Sequence, residues 1–154
     1  MTKRRNLVGI GGWLGLLILW MVLLRPLAGA IMWKRMHAAG STDPSLPTNS
    51  TWLINTSVFW VIILGVATLS IYGGLRLWRD RTPGAISAAI LILWISSPIA
   101  AVALLISEAY LKGGVAPSNA ASTLGINFAV AAAWTAYLKR SKRVRETYFQ
   151  VASA

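Results

Sequence analysis

Four long apolar runs, each nearly free of charge, constrain this chain more than any other feature of its 154 residues. The first covers about residues 7–33 and is interrupted only by Arg25-Pro26; the others cover about 52–75, 85–111 and 115–138. A hydrocarbon core about 30 Å thick is crossed by about 20 apolar helical residues, so every run is long enough to span. In hydrocarbon the backbone donors and acceptors must be satisfied within the segment, which makes each run a helix. Alternation of period two is absent, which argues against a membrane barrel. The expected fold is therefore an all-α membrane protein, with four transmembrane helices in one antiparallel bundle and a single membrane domain over 1–154. The basic start followed by apolar residues has the outline of a signal peptide. Its apolar run is longer than the 7–15 residues or so of such a segment, so it is expected to stay as a span.

Basic residues set the expected orientation. One side of the bundle collects Lys3, Arg4, Arg5, Arg76, Arg79, Arg81, Lys139, Arg140, Lys142, Arg143 and Arg145; the other has only Lys34, Arg35 and Lys112. Short loops rich in lysine and arginine stay in the cytoplasm, so both termini are expected there, with the polar loop 34–51 outside. Trp33 and Trp52 flank that loop, and Trp78, Trp134 and Tyr137 fall near the inner boundary, as interfacial aromatic belts do. The net charge of +11 would suggest nucleic acid in a soluble protein. Here the cations sit at the ends of apolar runs, a placement suited to anionic lipid headgroups, so no nucleic-acid partner is expected.

The chemistry available is sparse. The chain has no cysteine, one histidine (His37) and four acidic residues. Thiolate metal sites and disulfides are therefore impossible. No phosphate-binding glycine loop, zinc-protease motif, nucleophile elbow or close carboxylate pair is present. General acid–base work would rest on His37 or Glu108 alone, so an enzyme is the least favoured class and no cofactor is expected.

Arg25 and Glu108 are the charged side chains within the apolar runs. At about 1.5 Å per residue, Arg25 lies roughly 27 Å above Leu7, and Glu108 comes at about the same height in the third span. Both are then expected near the outer boundary, either snorkelling to headgroups or pairing across helices; an intramembrane ionisable group is a functional candidate by default. Pro26 should bend the first helix by removing a backbone donor. Ser96-Ser97-Pro98 interrupts the third span near mid-membrane, where serines can satisfy the carbonyl that Pro98 frees and where Asn127 lies at comparable depth. Gly11 and Gly15 form one small-residue pair; Ala121, Gly125, Ala129 and Ala133 form a stripe of period four. Such faces let helix backbones approach, with packing inside the bundle favoured over a dimer interface. The tail 139–154 is read as a basic continuation of the fourth helix, with Val144, Tyr148 and Val151 on one face that could lie on a membrane or dock on a partner.

Gly11-Gly12-Trp13-Leu14 opens the first span, and the fourth closes with Trp134, Tyr137, Ser141-Lys142-Arg143-Val144-Arg145 and Thr147-Tyr148. In these motifs the chain resembles the domain-of-unknown-function 2569 family of small bacterial inner-membrane proteins, although Tyr148 stands where that family is expected to have phenylalanine. The resemblance implies four spans in the inner membrane and no known activity. It marks Gly12, Trp13, Trp134, Tyr137, Ser141, Lys142, Arg143 and Val144 as residues of shared use. The leading expectation is a non-enzymatic accessory or assembly subunit of a larger membrane complex, or a homo-oligomer. The alternative is a small transporter or channel component built on Arg25, Glu108 and the Pro98 kink.

Overall fold

A computed structural model describes residues 12–42, 49–111 and 114–149. The described chain is helical, with no strand. Helix α1 covers 13–42 and contains a π turn at Trp20–Leu24; α2 is Ser50–Arg79; α3 covers 83–111 with a π turn at Ile95–Ile99; α4 is Ala120–Arg140; and a short α5, Lys142–Tyr148, follows. Four stretches are long and apolar enough to cross a membrane: Trp13–Arg35, Ser50–Arg79, Pro83–Tyr110 and Ala120–Arg140.

The helix ends follow local chemistry. Asn49 caps α2, its side-chain oxygen accepting from the amides of Thr51 at 2.9 Å and Trp52 at 3.4 Å; this satisfies donors that have no partner in the first turn. Pro83 opens α3, where its missing N–H is no loss. The apolar run beginning at Val115 becomes helical only at Ala120, because Pro117 restrains its own φ and the residue before it. At the other extreme, α1 carries on to Thr42, well past Trp33, so much of the stretch read as loop 34–51 is helix.

Both π turns have a proline nearby: Pro98 lies inside the one in α3, and Pro26 directly follows the one in α1. A proline ring clashes with the carbonyl four residues back and offers no N–H. Widening the turn by one residue accommodates that mismatch without ending the helix.

Helices adjacent in sequence pack on one another, α1 on α2, α2 on α3 and α3 on α4. The third span is the most enclosed and the fourth the least. The tight part of the core lies toward the end that carries Trp13, Arg79 and Arg140, called the basic end below. There Leu14, Leu17 and Met21 of α1 meet Leu77 of α2, Ile86 and Leu93 of α3, and Leu138 of α4. Gly73 and Gly74 make this contact possible. A methyl added at Gly74 would lie 2.5 Å from Val22 Cγ2, and one at Gly73 would lie 2.9 Å from both Met21 Cε and Ile92 Cδ1.

The tail does not extend α4. The helix stops at Ser141, whose ψ of 124° is extended, and α5 folds back so that Val144 and Tyr148 join the core cluster. This corrects the expectation of a continuous basic helix with an apolar face offered to a membrane or partner. Val144 and Tyr148 of that face pack on the chain itself; Val151 lies outside the described residues. Beyond the hydrocarbon, burying such side chains is driven by water, at about 1.5–3 kcal/mol each.

Candidate intramembrane site

Arg25 is placed by the register of α1. It lies twelve residues from Trp13 and ten from Arg35, the bounds of the first span, and so near its middle. Its guanidinium reaches across to the π turn of α3. Nη1 donates to the carbonyl of Ser96, and Nη2 donates to Ser97 Oγ at 2.6 Å. Ser97 Oγ in turn donates to Asn127 Oδ1 on α4 at 3.2 Å, and Asn127 Nδ2 donates to the Thr123 carbonyl at 2.8 Å. The Arg25 Cζ also stands 4.6 Å from the ring centroid of Trp20, an arrangement in which the indole face attracts a cation. Trp20 stacks on Trp134 at 6.2 Å, and Trp134 meets Tyr137 edge-on at 6.0 Å. One polar chain thus links α1, α3 and α4 near mid-membrane, through the two places where a helix ladder is interrupted.

The sequence reading sets Arg25 and Glu108 at about one height near the outer boundary, snorkelling to headgroups or pairing across helices, and the structure corrects that shared height. The guanidinium bonds at Ser96 and Ser97, whereas Glu108 lies eleven residues further along α3, roughly 16 Å at 1.5 Å per residue. The earlier depth was counted from Leu7, while the described helix begins at Trp13. Among the described residues, no carboxylate lies within ion-pair distance of Arg25; the ion pair seen is Arg76–Asp80 at 3.5 Å on the surface. A charge at this depth is costly, about 2.5–3.5 kcal/mol on insertion scales and more for an isolated helix. Neutral acceptors and an indole face offset part of that cost.

Beside this network lies a cavity of about 290 Å³. Ser96, Ser97, Thr123 and Asn127 supply its polar wall; Met32, Ile63, Val66 and Leu104 supply apolar walls; Glu108 also lines it. A second cavity of about 240 Å³ shares Met32, Leu104 and Glu108 with the first and adds Trp52, Asn55 and Ser107. Together they run from the middle of the bundle toward the Trp52 end, opposite the packed core. Ser107 donates to Asn55 within the second. Ser96 Oγ is buried and has no hydrogen-bond partner, although its residue lines the first cavity. A buried hydroxyl left unpaired is unfavourable.

The other candidate residues fall elsewhere. Pro98 is buried within the network's π turn, and Pro26 is half-buried beside Arg25. His37 stacks on Trp33 at 5.9 Å and lines neither cavity. Gly11 lies outside the described residues. Gly15 has nothing within 4 Å of an added methyl and borders a shallow apolar groove with Leu75 and Trp78. Ala121, Gly125, Ala129 and Ala133 are all exposed, with open space around Gly125. The stripe therefore points out of the molecule and does not pack within the bundle as expected. The glycines that bring helices together, Gly73 and Gly74, were missed. Their signal is a glycine pair inside an uninterrupted apolar span, where glycine weakens a helix unless close approach requires it.

The motif residues from the two ends of the chain meet. Gly12 adopts φ +60°, and a methyl there would lie 2.7 Å from Arg143 Nη1. Leu14 and Val144 share one core cluster, against which Trp134 and Tyr137 pack. Tyr148 is fully buried and its hydroxyl donates to the Leu77 carbonyl. Trp13 is 67% exposed at the basic end, Lys142 is exposed, and Ser141 forms the α4–α5 corner.

Four apolar helices of spanning length and a charged group held among them define a multi-pass integral membrane protein. The chain belongs to the domain-of-unknown-function 2569 family, whose profile, described as "Protein of unknown function (DUF2569)", matches residues 7–149. No curated protein and no solved structure matches the chain.

Proposed function

We propose that this protein is a non-enzymatic solute-handling component of the membrane, working as an oligomer or as a subunit of a larger complex. The observation that carries the reading is Arg25, placed near mid-span and bonded to the π turn of α3 beside a cavity. Transporters form central sites where discontinuous helices leave backbone carbonyls free to bind. Here two interrupted helices meet, and the Ser96 carbonyl is engaged by a side chain from the other helix. The antiparallel bundle is read with both termini cytoplasmic in a bacterial inner membrane, so the cavities open outward. The cations at the basic end then lie against anionic headgroups.

Four spans make a narrow pathway, which is why association belongs to the reading. The outward-facing stripe on α4, the least enclosed span, supports α4 as the contact, since small residues let helices approach in lipid. The test of this part uses the absence of cysteine. A single Gly125→Cys should form a disulfide-linked pair in native membranes when an added thiol oxidant takes up the two electrons; a strictly monomeric, partner-free species contradicts it.

For solute handling, the measurement is proteoliposome swelling in a panel of small solutes. Entry of at least one solute should depend on Arg25, fall with Arg25→Gln and change with Glu108→Gln. Swelling equal to that of empty liposomes for every solute contradicts the reading.

A further inference from the structure

We propose that the cavity toward the Trp52 end is a site for a methylated ammonium group, with Glu108 balancing its charge and Trp52 and Phe59 bounding its methyl groups. The inference goes beyond the solute-handling reading and stands apart from it, because holding a cation at this end requires no passage. The walls come chiefly from two helices. Trp52, Asn55 and Phe59 lie at i, i+3 and i+7 on α2, and Leu104, Ser107 and Glu108 lie at i, i+3 and i+4 on α3, so each set shares one helix face. Ser107 donates to Asn55 between them, and Met32 contributes from α1.

The sign of charge comes from the lining. Among the described residues, Glu108 is the one charged group on the wall of this cavity and of its neighbour. Lys34 and Arg35 of α1 are exposed and line neither. A carboxylate has about four acceptor positions, so Glu108 serves a ligand cation beside a contact within the protein. Aromatic rings attract a cation, tryptophan the most strongly, and cages of such rings take choline and methylated ammonium groups. The degree of methylation follows from the polar groups. A primary ammonium carries three N–H donors, and each needs an acceptor once water is excluded. Beyond Glu108, the polar side chains on the wall are Asn55 and Ser107, which already bond to each other. Methyl groups in place of N–H donors ask only for carbon surface, which Met32, Phe59 and Leu104 supply. The volume of about 240 Å³ is below the range of about 300–1,000 Å³ typical of ligand pockets, which suits a small head. Deeper in the bundle the permanent charge of Arg25, held at Ser96 and Ser97, opposes further entry of a cation.

The test is binding to the full chain in phosphatidylglycerol nanodiscs, with labelled choline as probe and empty discs as the blank. Choline should bind saturably above the blank. Its uncharged carbon isostere, 3,3-dimethylbutanol, should not displace it, and ethanolamine should compete at least about tenfold less well, since its N–H donors go unpaired. Glu108→Gln should weaken choline at least about tenfold, the loss of a charged partner, and Trp52→Leu about two- to thirtyfold, the loss of a ring beside a cation. Glu108 is exposed and outside the core cluster, so its replacement spares the packing; thermal unfolding of both variants checks this. Phosphatidylcholine built into the discs separates two sources of the same group. Displacement of choline by it identifies a lipid headgroup as the ligand, and undisturbed binding identifies a free solute. Absence of saturable choline binding above the blank overturns the proposal. Displacement by 3,3-dimethylbutanol as effective as by unlabelled choline, or undiminished binding in Glu108→Gln or in Trp52→Leu, overturns it as well.

Discussion

The hydroxyl of Tyr148 donates to the backbone carbonyl of Leu77, joining the end of the chain to the last turn of the second span. The carbonyls of a last helical turn have no intrahelical partner. Arg76 gives its own to the Asp80 amide at 2.8 Å; Leu77 gives its own to Tyr148. The contact closes a structure in which motif residues near both ends of the family match share one cluster.

Tyr148→Phe keeps the ring and leaves the Leu77 carbonyl without its partner. The expected loss of stability is about 1–3 kcal/mol, the cost of an unsatisfied buried acceptor. Thermal unfolding in detergent checks it; an unchanged midpoint would show that water replaces the hydroxyl freely.

Burial pushes the Tyr148 hydroxyl up from 10.0 to about 12, with Arg81 pulling in the opposite direction. The folded state therefore favours the neutral phenol, and below pH 10 its stabilisation is complete. Between pH 10 and 12 the unfolded chain loses this proton and the folded chain keeps it, so stability falls as pH rises. Tyr148→Phe should flatten that part of the profile. A slope equal in wild type and variant would assign the loss to other groups.

Two glycine substitutions should behave oppositely. Gly74→Ala forces a methyl to 2.5 Å from Val22 Cγ2 and 3.2 Å from Met21 Cβ, and overpacking of this kind costs typically about 1–3 kcal/mol. Gly125→Ala meets nothing within 4 Å and should stabilise the monomer by roughly 0.5–1 kcal/mol through helix propensity. Unfolding of both variants in one detergent gives the comparison; equal effects would place α4 against an unseen neighbour or α1 away from α2.

Arg25→Met should leave stability near its original value. Removing the charge recovers at most about 2.5–3.5 kcal/mol of insertion cost, while unpairing the Ser96 carbonyl and the Ser97 hydroxyl costs about 1–3 kcal/mol each. The two terms nearly cancel, so this arginine adds little to stability. Destabilisation beyond about 2 kcal/mol would instead make Arg25 a structural strut.

Much of this was legible in the sequence, because hydrocarbon leaves a long apolar run one choice of backbone. The four spans and the special character of Arg25 and Pro98 followed from that alone. Depth did not. Arg25 was set at the outer boundary because the first run was counted from Leu7 and stopped at Trp33, while the described helix runs from Trp13 to Thr42. Its true level is fixed by Ser96 and Ser97, more than seventy residues away. The break at Ser141 escaped notice since lysine, arginine and serine do not forbid a helix; burial of Val144 and Tyr148 turns the chain there. The stripe on α4 was visible as a pattern, but the side of the helix that meets its neighbours depends on packing that spacing does not encode.

The most direct test is the reach of water to Ser97. With no native cysteine, Ser97→Cys can be probed in intact cells with a small membrane-impermeant thiol reagent. Modification from outside, slower when Leu104→Trp narrows the cavity, is the result required by an outward cavity that reaches Ser97. Modification only from the cytoplasmic side of inverted vesicles, or from neither side, would contradict it.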